Sequence, residues 1–218
     1  MDYAQHLIER INAAPQNARV DVLSNELLRE FQRGYPVDNL RHLLASSDLD
    51  LVTIGIWILS ELGEKSRPLL HDCVHLLSSP VKKIRFWTLD GLYWTQPQDG
   101  CDLAQALKLL DDPDAGVRWK VLDLLSRLSR EQIEAAYACA SQGALAPAHC
   151  DAIRWLLSGE SLVSEKIKAA LSSPDATLRK YAAVAAARLR ERNTDALAYA
   201  STTEDADVRE FASGLLPS

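Results

Sequence analysis

The residues best placed to do chemistry in this sequence are aromatic side chains and carboxylates that recur at matching positions. Phe86, Asp90 and Tyr93 have the same spacing as Trp119, Asp123 and Ser126. That i, i+4, i+7 pattern puts each set within about 60° of arc on one helix flank. Trp87 and Trp94 lie farther round the same stretch, where the second copy carries Lys120 and Arg127. Aromatic rings beside fixed carboxylates are the composition of a protein-binding surface. A carboxylate held between rings could instead serve as acid or base toward a small ligand. A third reading has the rings filling gaps between helices and the carboxylates pairing with nearby Lys or Arg. The expected contact set is Phe86, Trp87, Asp90, Tyr93, Trp94, Trp119 and Asp123. If that set works as a surface, Phe86, Asp90, Trp119 and Asp123 must be partly accessible and share one face.

Other chemistries find less support. His71 and His75 are i and i+4 on one helix, but Cys73 lies about 200° round from His71 and no third ligand is in reach. His149 and Cys150 are adjacent and diverge. No metal or cofactor is expected. There is no Ser/His/Asp pattern, no glycine-rich phosphate loop and no nucleophile elbow, so no catalytic residue is assigned and a non-enzymatic role is expected. Arg85, Arg118, Arg179 and Arg209 recur near the starts of helices, where a cation opposes the macrodipole. Their recurrence calls for acidic or carbonyl partners and a structural role.

These residues are positioned by a repeated phrase. Leu109-Leu110-Asp111-Asp112-Pro113-Asp114-Ala115-Gly116-Val117-Arg118 returns as Leu76 to Arg85, as Leu171 to Arg179 and, more weakly, as Glu204 to Arg209. An earlier copy at Asp48–Thr53 sets Thr53 at the arginine position. The proline positions are 32, 33, 61 and 30 residues apart, and the 61 spans two periods with one copy worn away. A period near 30 marks an array of supersecondary units. Ser79, Asp112 and Ser173 read as N-caps, with Pro80, Pro113 and Pro174 at the first helical position. The expected pairs are 37–45 with 49–62, 68–77 with 80–94, 103–110 with 113–128, 131–141 with 147–157, 163–171 with 174–192, and 194–200 with 205–216. Helices at 2–14 and 19–33 lack the phrase and read as an N-terminal cap. Core positions on the second helices are Ile84, Leu89 and Leu92, then Val117, Val121, Leu122 and Leu125, with Trp57 matching Leu89 and Leu122.

Pro-Asp-x-x-Val-Arg opening the second helix of a pair of about 30 residues resembles HEAT-like repeats of the short bacterial type, over roughly 36–216. The resemblance implies an all-α fold, an α-solenoid of about six stacked helical hairpins, with the arginines forming a ladder between neighbouring units. That architecture hosts scaffolds, inhibitors, lyases and DNA-repair enzymes, so it implies little about activity. Iron-holding members use His-Glu pairs, and this chain has no His-Glu dipeptide.

Composition narrows the classes. The chain has 218 residues, read as one elongated domain, and a formal net charge of −6. The acidic excess is even, 14 against 11 up to residue 110 and 16 against 13 after it. Nucleic-acid binding needs a basic stripe and is not expected. Four cysteines without a CxxC pair argue against a disulfide framework and fit a reducing compartment. No apolar leader is evident, and the longest apolar run, Leu51 to Leu59, is too short to span a bilayer. A cytoplasmic setting with no membrane contact is expected. The functional expectation is a solenoid that grips a basic partner protein on a concave acidic and aromatic face, as an immunity protein against a toxin or as an adaptor. The alternatives are a small-ligand enzyme like the HEAT-like lyases and, behind it, a DNA-binding repair protein.

Overall fold

The structure, a computed structural model, describes residues 3–13, 20–95, 99–159 and 163–216. Among these residues every regular element is helical and no strand occurs, so the chain is all-α. It divides into two compact units, Met1–Gln96 and Pro97–Ser218, where the sequence reading drew one domain. Part of the expected joint at 96–100, residues 96–98, lies outside the described residues, as do residues 14–19 between the first two helices.

The first unit opens with α1 (Tyr3–Ala13) and α2 (Val20–Gln32), which pack on each other. Ile8, Ile11, Leu27 and Phe31 are buried there, as their helical spacing requires. Gly34 ends α2 at φ 113°, with the Tyr35 amide donating to the Glu30 carbonyl, the left-handed close that glycine permits. A 3-10 turn (Val37–Leu40) runs into α3 (Arg41–Leu44), and α4 (Leu49–Glu61) packs against α3. A further 3-10 turn (Gly63–Ser66) leads into α5 (Arg67–Cys73), which tightens into another (Val74–Ser78) before α6 (Lys82–Thr95). Helix α6 lies against α4 and α5.

The second unit runs α7 (Gly100–Leu107) with a 3-10 ending (Lys108–Asp111), then α8 (Ala115–Arg127), α9 (Arg130–Cys139), a π turn (Ala140–Ala144) and α10 (Pro147–Leu157). It continues with α11 (Ser164–Leu171), α12 (Ala176–Leu189), α13 (Asp195–Ala200) and α14 (Ala206–Leu215). Helix α7 packs on α9, α10 on α12, and α11 on α12 and α13. A stack in chain order would seat α8 on α10. Instead its main helical neighbours are α12 and α14. The composition of α12 allows this: Ala182, Ala183, Ala185, Ala186 and Ala187 are all buried, so other helices approach it closely on several sides.

The core expected from the phrase is present. Ile84, Leu89, Leu92, Val117, Val121, Leu122 and Leu125 are fully buried. The caps differ from expectation by two residues. Asp114 caps α8 and Asp175 caps α12, so Pro113 and Pro174 precede the helices rather than open them. Pro80 likewise precedes α6, which starts at Lys82. Asp112 and Ser173 accept from the amides of Asp114 and Asp175, at 2.9 and 3.1 Å, and close the turn around each proline. Ser79 does the same for Val81 at 3.3 Å. The first polar residue therefore shapes the turn and the second caps the helix. Counting from the caps also moves the first copy by one. Asp48 caps α4, so Val52, not Thr53, stands four residues on where Arg118 stands in its copy. Ile56 then takes the core position and Trp57, only half-buried, falls on the flank.

Candidate functional site

In the first unit, α6 is held by its apolar side. Thr88 and Thr95 turn their hydroxyls back onto the Ile84 and Gly91 carbonyls, at 2.7 and 3.0 Å, which satisfies them within the buried face. A Cβ at Gly91 would come within 2.9 Å of the Leu70 side chain, so glycine lets α5 approach there. The rings lie off this face. Phe86 and Trp87 meet edge to face at 5.1 Å, and Tyr93 and Trp94 do so at 5.0 Å. Phe86, Trp87, Asp90 and Tyr93 are half-buried, and Trp94 is 52% exposed. An indole that open is costly to leave in water.

In the second unit the matching positions serve packing. Trp119 is half-buried and meets Phe211 of α14 at 6.2 Å, with Gly214 beside its indole. Asp123 is buried at 5% exposure and accepts from Arg127 Nε at 3.1 Å. The accessibility expected of Asp123 is therefore corrected. Its i+4 arginine folds over it, and α8 is packed on two helices instead of one.

The repeated arginines share one geometry. Nη1 of Arg85, Arg118, Arg179 and Arg209 donates to the carbonyls six and five residues before it, all between 2.7 and 3.2 Å. Each guanidinium thus reaches back over its own turn to carbonyls that no helix satisfies, which removes the conflict with its own helix dipole. This common contact is within one helical pair; a contact to the neighbouring pair, which the ladder expectation called for, is made by Arg179 to Asp205. Two arginines add a longer-range pair. Arg118 grips Asp207 with two bonds of 2.7 Å, and Arg179 grips Asp205 at 2.9 and 2.8 Å. Both carboxylates sit at the start of α14, where negative charge suits the dipole.

Beside these pairs lies a network that the sequence reading passed over. Lys180, nearly buried, donates to the Leu110 carbonyl and lies 3.6 Å from Asp111 and 3.9 Å from Asp207. His149 is 3% exposed, with Nε2 bonded to Asp111 at 2.9 Å and Nδ1 to the Tyr181 hydroxyl at 3.3 Å. Asp111, an acceptor only, takes its bond from Nε2–H. Burial raises the Asp111 pKa, but the bond and charge of His149, then Lys180, outweigh it and hold the carboxyl below its usual range. Burial keeps the Tyr181 hydroxyl protonated far above its ordinary range. The order Asp, His, hydroxyl looks like nucleophile activation, yet the Tyr181 hydroxyl is wholly buried. A substrate cannot reach it, and the network ties the 3-10 ending of α7 to α10, α12 and α14. The spacing of His149 and Cys150 says nothing of this, because the partners of His149 come from distant turns.

The cysteine expectation is also corrected. Cys101 and Cys139 form a disulfide across α7 and α9, with Cα atoms 5.3 Å apart. Gly100 lies against the Ala135 backbone, and that close crossing brings the two sulfurs together although they are 38 residues apart. The cysteine argument for a reducing compartment thereby loses its footing. Cys73 and Cys150 are free, and burial pushes the Cys73 thiol up to about 12. Among the described residues no helix is long and apolar enough to cross a membrane.

No family model and no curated protein matches the chain. Among solved structures it is similar to the crystal structure of an engineered protein, at 16% identity and a TM-score of 0.55, covering 99% of this chain and 96% of that one. A likeness at that identity concerns the fold alone, and it agrees with the helical architecture described above.

Proposed function

We propose that the chain is a HEAT-like helical-repeat protein that binds another protein, with the outer flank of α6 as the contact face. The observation that carries this reading is the exposure of Trp94 on a helix that also presents Tyr93, Trp87 and Phe86 at its flank. Large rings that leave a helix without finishing its core are the usual anchors of a protein interface. Asp90 adds a carboxylate among them, and the chain's formal net charge of −6 favours a basic partner. A toxin neutralised by an immunity protein and a client held by an adaptor are both partners of that kind. Trp119 and Asp123 drop out of the proposed face, because packing and ion pairing already account for them.

The test compares two exposed aromatics. Trp94→Ala and Tyr3→Ala remove rings that are each 52% exposed, on different helices. Basic proteins retained by the parent are identified from cell extract, and the affinity of the purified pair is then measured. Trp94→Ala should weaken binding by about 30-fold or more, the scale of an anchor residue, with its melting temperature unchanged. Tyr3→Ala should bind as the parent does. Equal binding by Trp94→Ala and the parent would remove α6 as the contact face.

A further inference from the structure

A second feature, in the other unit and independent of the α6 reading, points to a small-ligand site. At the C-terminal ends of α8 and α12, Arg127, Arg188 and Arg190 gather round a cleft of about 340 Å³, with Ser126 and Glu191 on its wall. One corner of Arg188 is occupied. Its Nη1 donates to the Leu128 carbonyl at 2.6 Å and, at 3.4 Å, to those of Leu125 and Ser126. These are end-of-helix carbonyls, so that corner caps α8. The Nε and Nη2 edge has no partner among the described residues, and no carboxylate there pairs with Arg188. Among the described residues Arg190 donates only to the Ala187 carbonyl, at 3.4 Å, and has no carboxylate partner.

Carboxylates are not in short supply. Residues 97–218 hold 18 acidic against 14 basic side chains, and Arg118, Arg179, Lys180, Arg130 and Arg154 all have acidic partners. Arg188 and Arg190 have none among the described residues, and the two line one cleft. A guanidinium fork matches the geometry of phosphate and carboxylate oxygens.

We propose that this cleft binds a small oxyanion, a phosphate group or a dicarboxylate, gripped by the free edge of Arg188 and by Arg190. Glu191 favours a ligand that also carries a hydroxyl or amino donor. The sequence trace of the site is Arg188-Leu189-Arg190-Glu191-Arg192, an alternation that sets two arginines about 200° apart on an ideal helix. They converge here because α12 ends at Leu189.

The experiment measures binding of inorganic phosphate and of succinate by calorimetry, against chloride at equal ionic strength. Phosphate should bind saturably and raise the melting temperature above that in chloride. Arg190→Gln should weaken binding by about tenfold or more, the scale of one lost charge-assisted contact, and keep the parent's melting temperature in chloride. Arg190→Lys should recover part of the affinity. Arg188→Gln should lose binding and some stability together, since it also caps α8, so the decision rests on Arg190. Succinate binding in place of phosphate would keep the site and assign it to carboxylates. The proposal fails if neither anion differs from chloride, or if Arg190→Gln binds as well as the parent.

Discussion

At the scale of single residues, the turn arginines show how one side chain resolves a conflict set by its own position. A cation near a helix start is unfavourable, yet Arg118 spends its donors on the Asp112 and Pro113 carbonyls and on Asp207. The pair is shielded, with side chains 21% and 16% exposed. Arg118→Ala would leave Asp207 partly buried, with Lys180 3.9 Å away as its remaining cation among the described residues. We predict a loss of about 1–3 kcal/mol in urea unfolding, with α6-mediated binding intact; loss of binding at unchanged stability would contradict the structural role. Cys73 gives a second prediction. It is 3% exposed with its thiol pushed up to about 12, so at pH 8 almost none is thiolate. Native protein should take up maleimide at Cys150 and leave Cys73 unlabelled until it is denatured. That Phe86, Trp87, Tyr93 and Trp94 stand off the buried face of α6 was legible, because they fall outside the core register. The fate of Asp123 was not. Its burial depends on α12 and α14 closing over α8, and no local pattern encodes that.

At the scale of elements, periodicity located the helices to within a few residues. Apolar spacing is local, and the turns carry proline and capping aspartates. Helix starts were misplaced by two residues because Asp112-Pro113-Asp114 contains two good caps, and only hydrogen bonding shows that the second is used. Neighbour choice was illegible: α8 on α12 and α14 follows from the alanine face of α12, which reads in sequence as ordinary helix former. Two predictions test the α7–α9 contact. A Cβ at Gly100 would sit 2.2 Å from the Ala135 carbonyl oxygen, a backbone atom that cannot swing away. Gly100→Ala should cost about 1–3 kcal/mol by overpacking, whereas Gly159→Ala, whose nearest neighbour is 3.6 Å away at a flexible arginine tip, should cost little by crowding. The disulfide beside it closes a sequence separation of 38, worth about 2–4 kcal/mol. Reductant should lower the parent's melting temperature and leave that of Cys101→Ser unchanged; no response in the parent would show that the bond is not formed in solution.

At the scale of the whole molecule, charge acts in two opposing ways as pH falls. The formal net charge is −6 at pH 7 and the pI is near 5.4, so acidification first relieves self-repulsion. Below the usual carboxylate range a second effect takes over. Asp72 is held low by its bond to Arg41 and by that residue's charge. Glu131 is held low by the Ser129 hydroxyl and its own backbone amide. Asp111 is pushed up by burial, but His149 and Lys180 bring it below its ordinary value. A carboxyl with a depressed folded pKa contributes stability that is present above its unfolded pKa and lost as pH falls through the folded one. Unfolded carboxylates titrate near about 4, so the loss should begin there and grow toward pH 3. The Asp111 side chain is itself 61% exposed, so each contribution is modest, and Asp111 stands out in meeting both His149 and Lys180. We predict a melting temperature that rises modestly from pH 7 to a maximum at about pH 5–6 and falls below about 4. Salt at about 0.5 M should flatten the neutral limb by screening. Asp111→Asn keeps an acceptor for His149 but cannot titrate, so its acid limb should be shallower than the parent's, from a lower melting temperature at pH 7. A melting temperature still climbing between pH 5 and 3 would mean that self-repulsion outweighs these paired carboxylates, and an unchanged acid limb in Asp111→Asn would remove Asp111 as its cause.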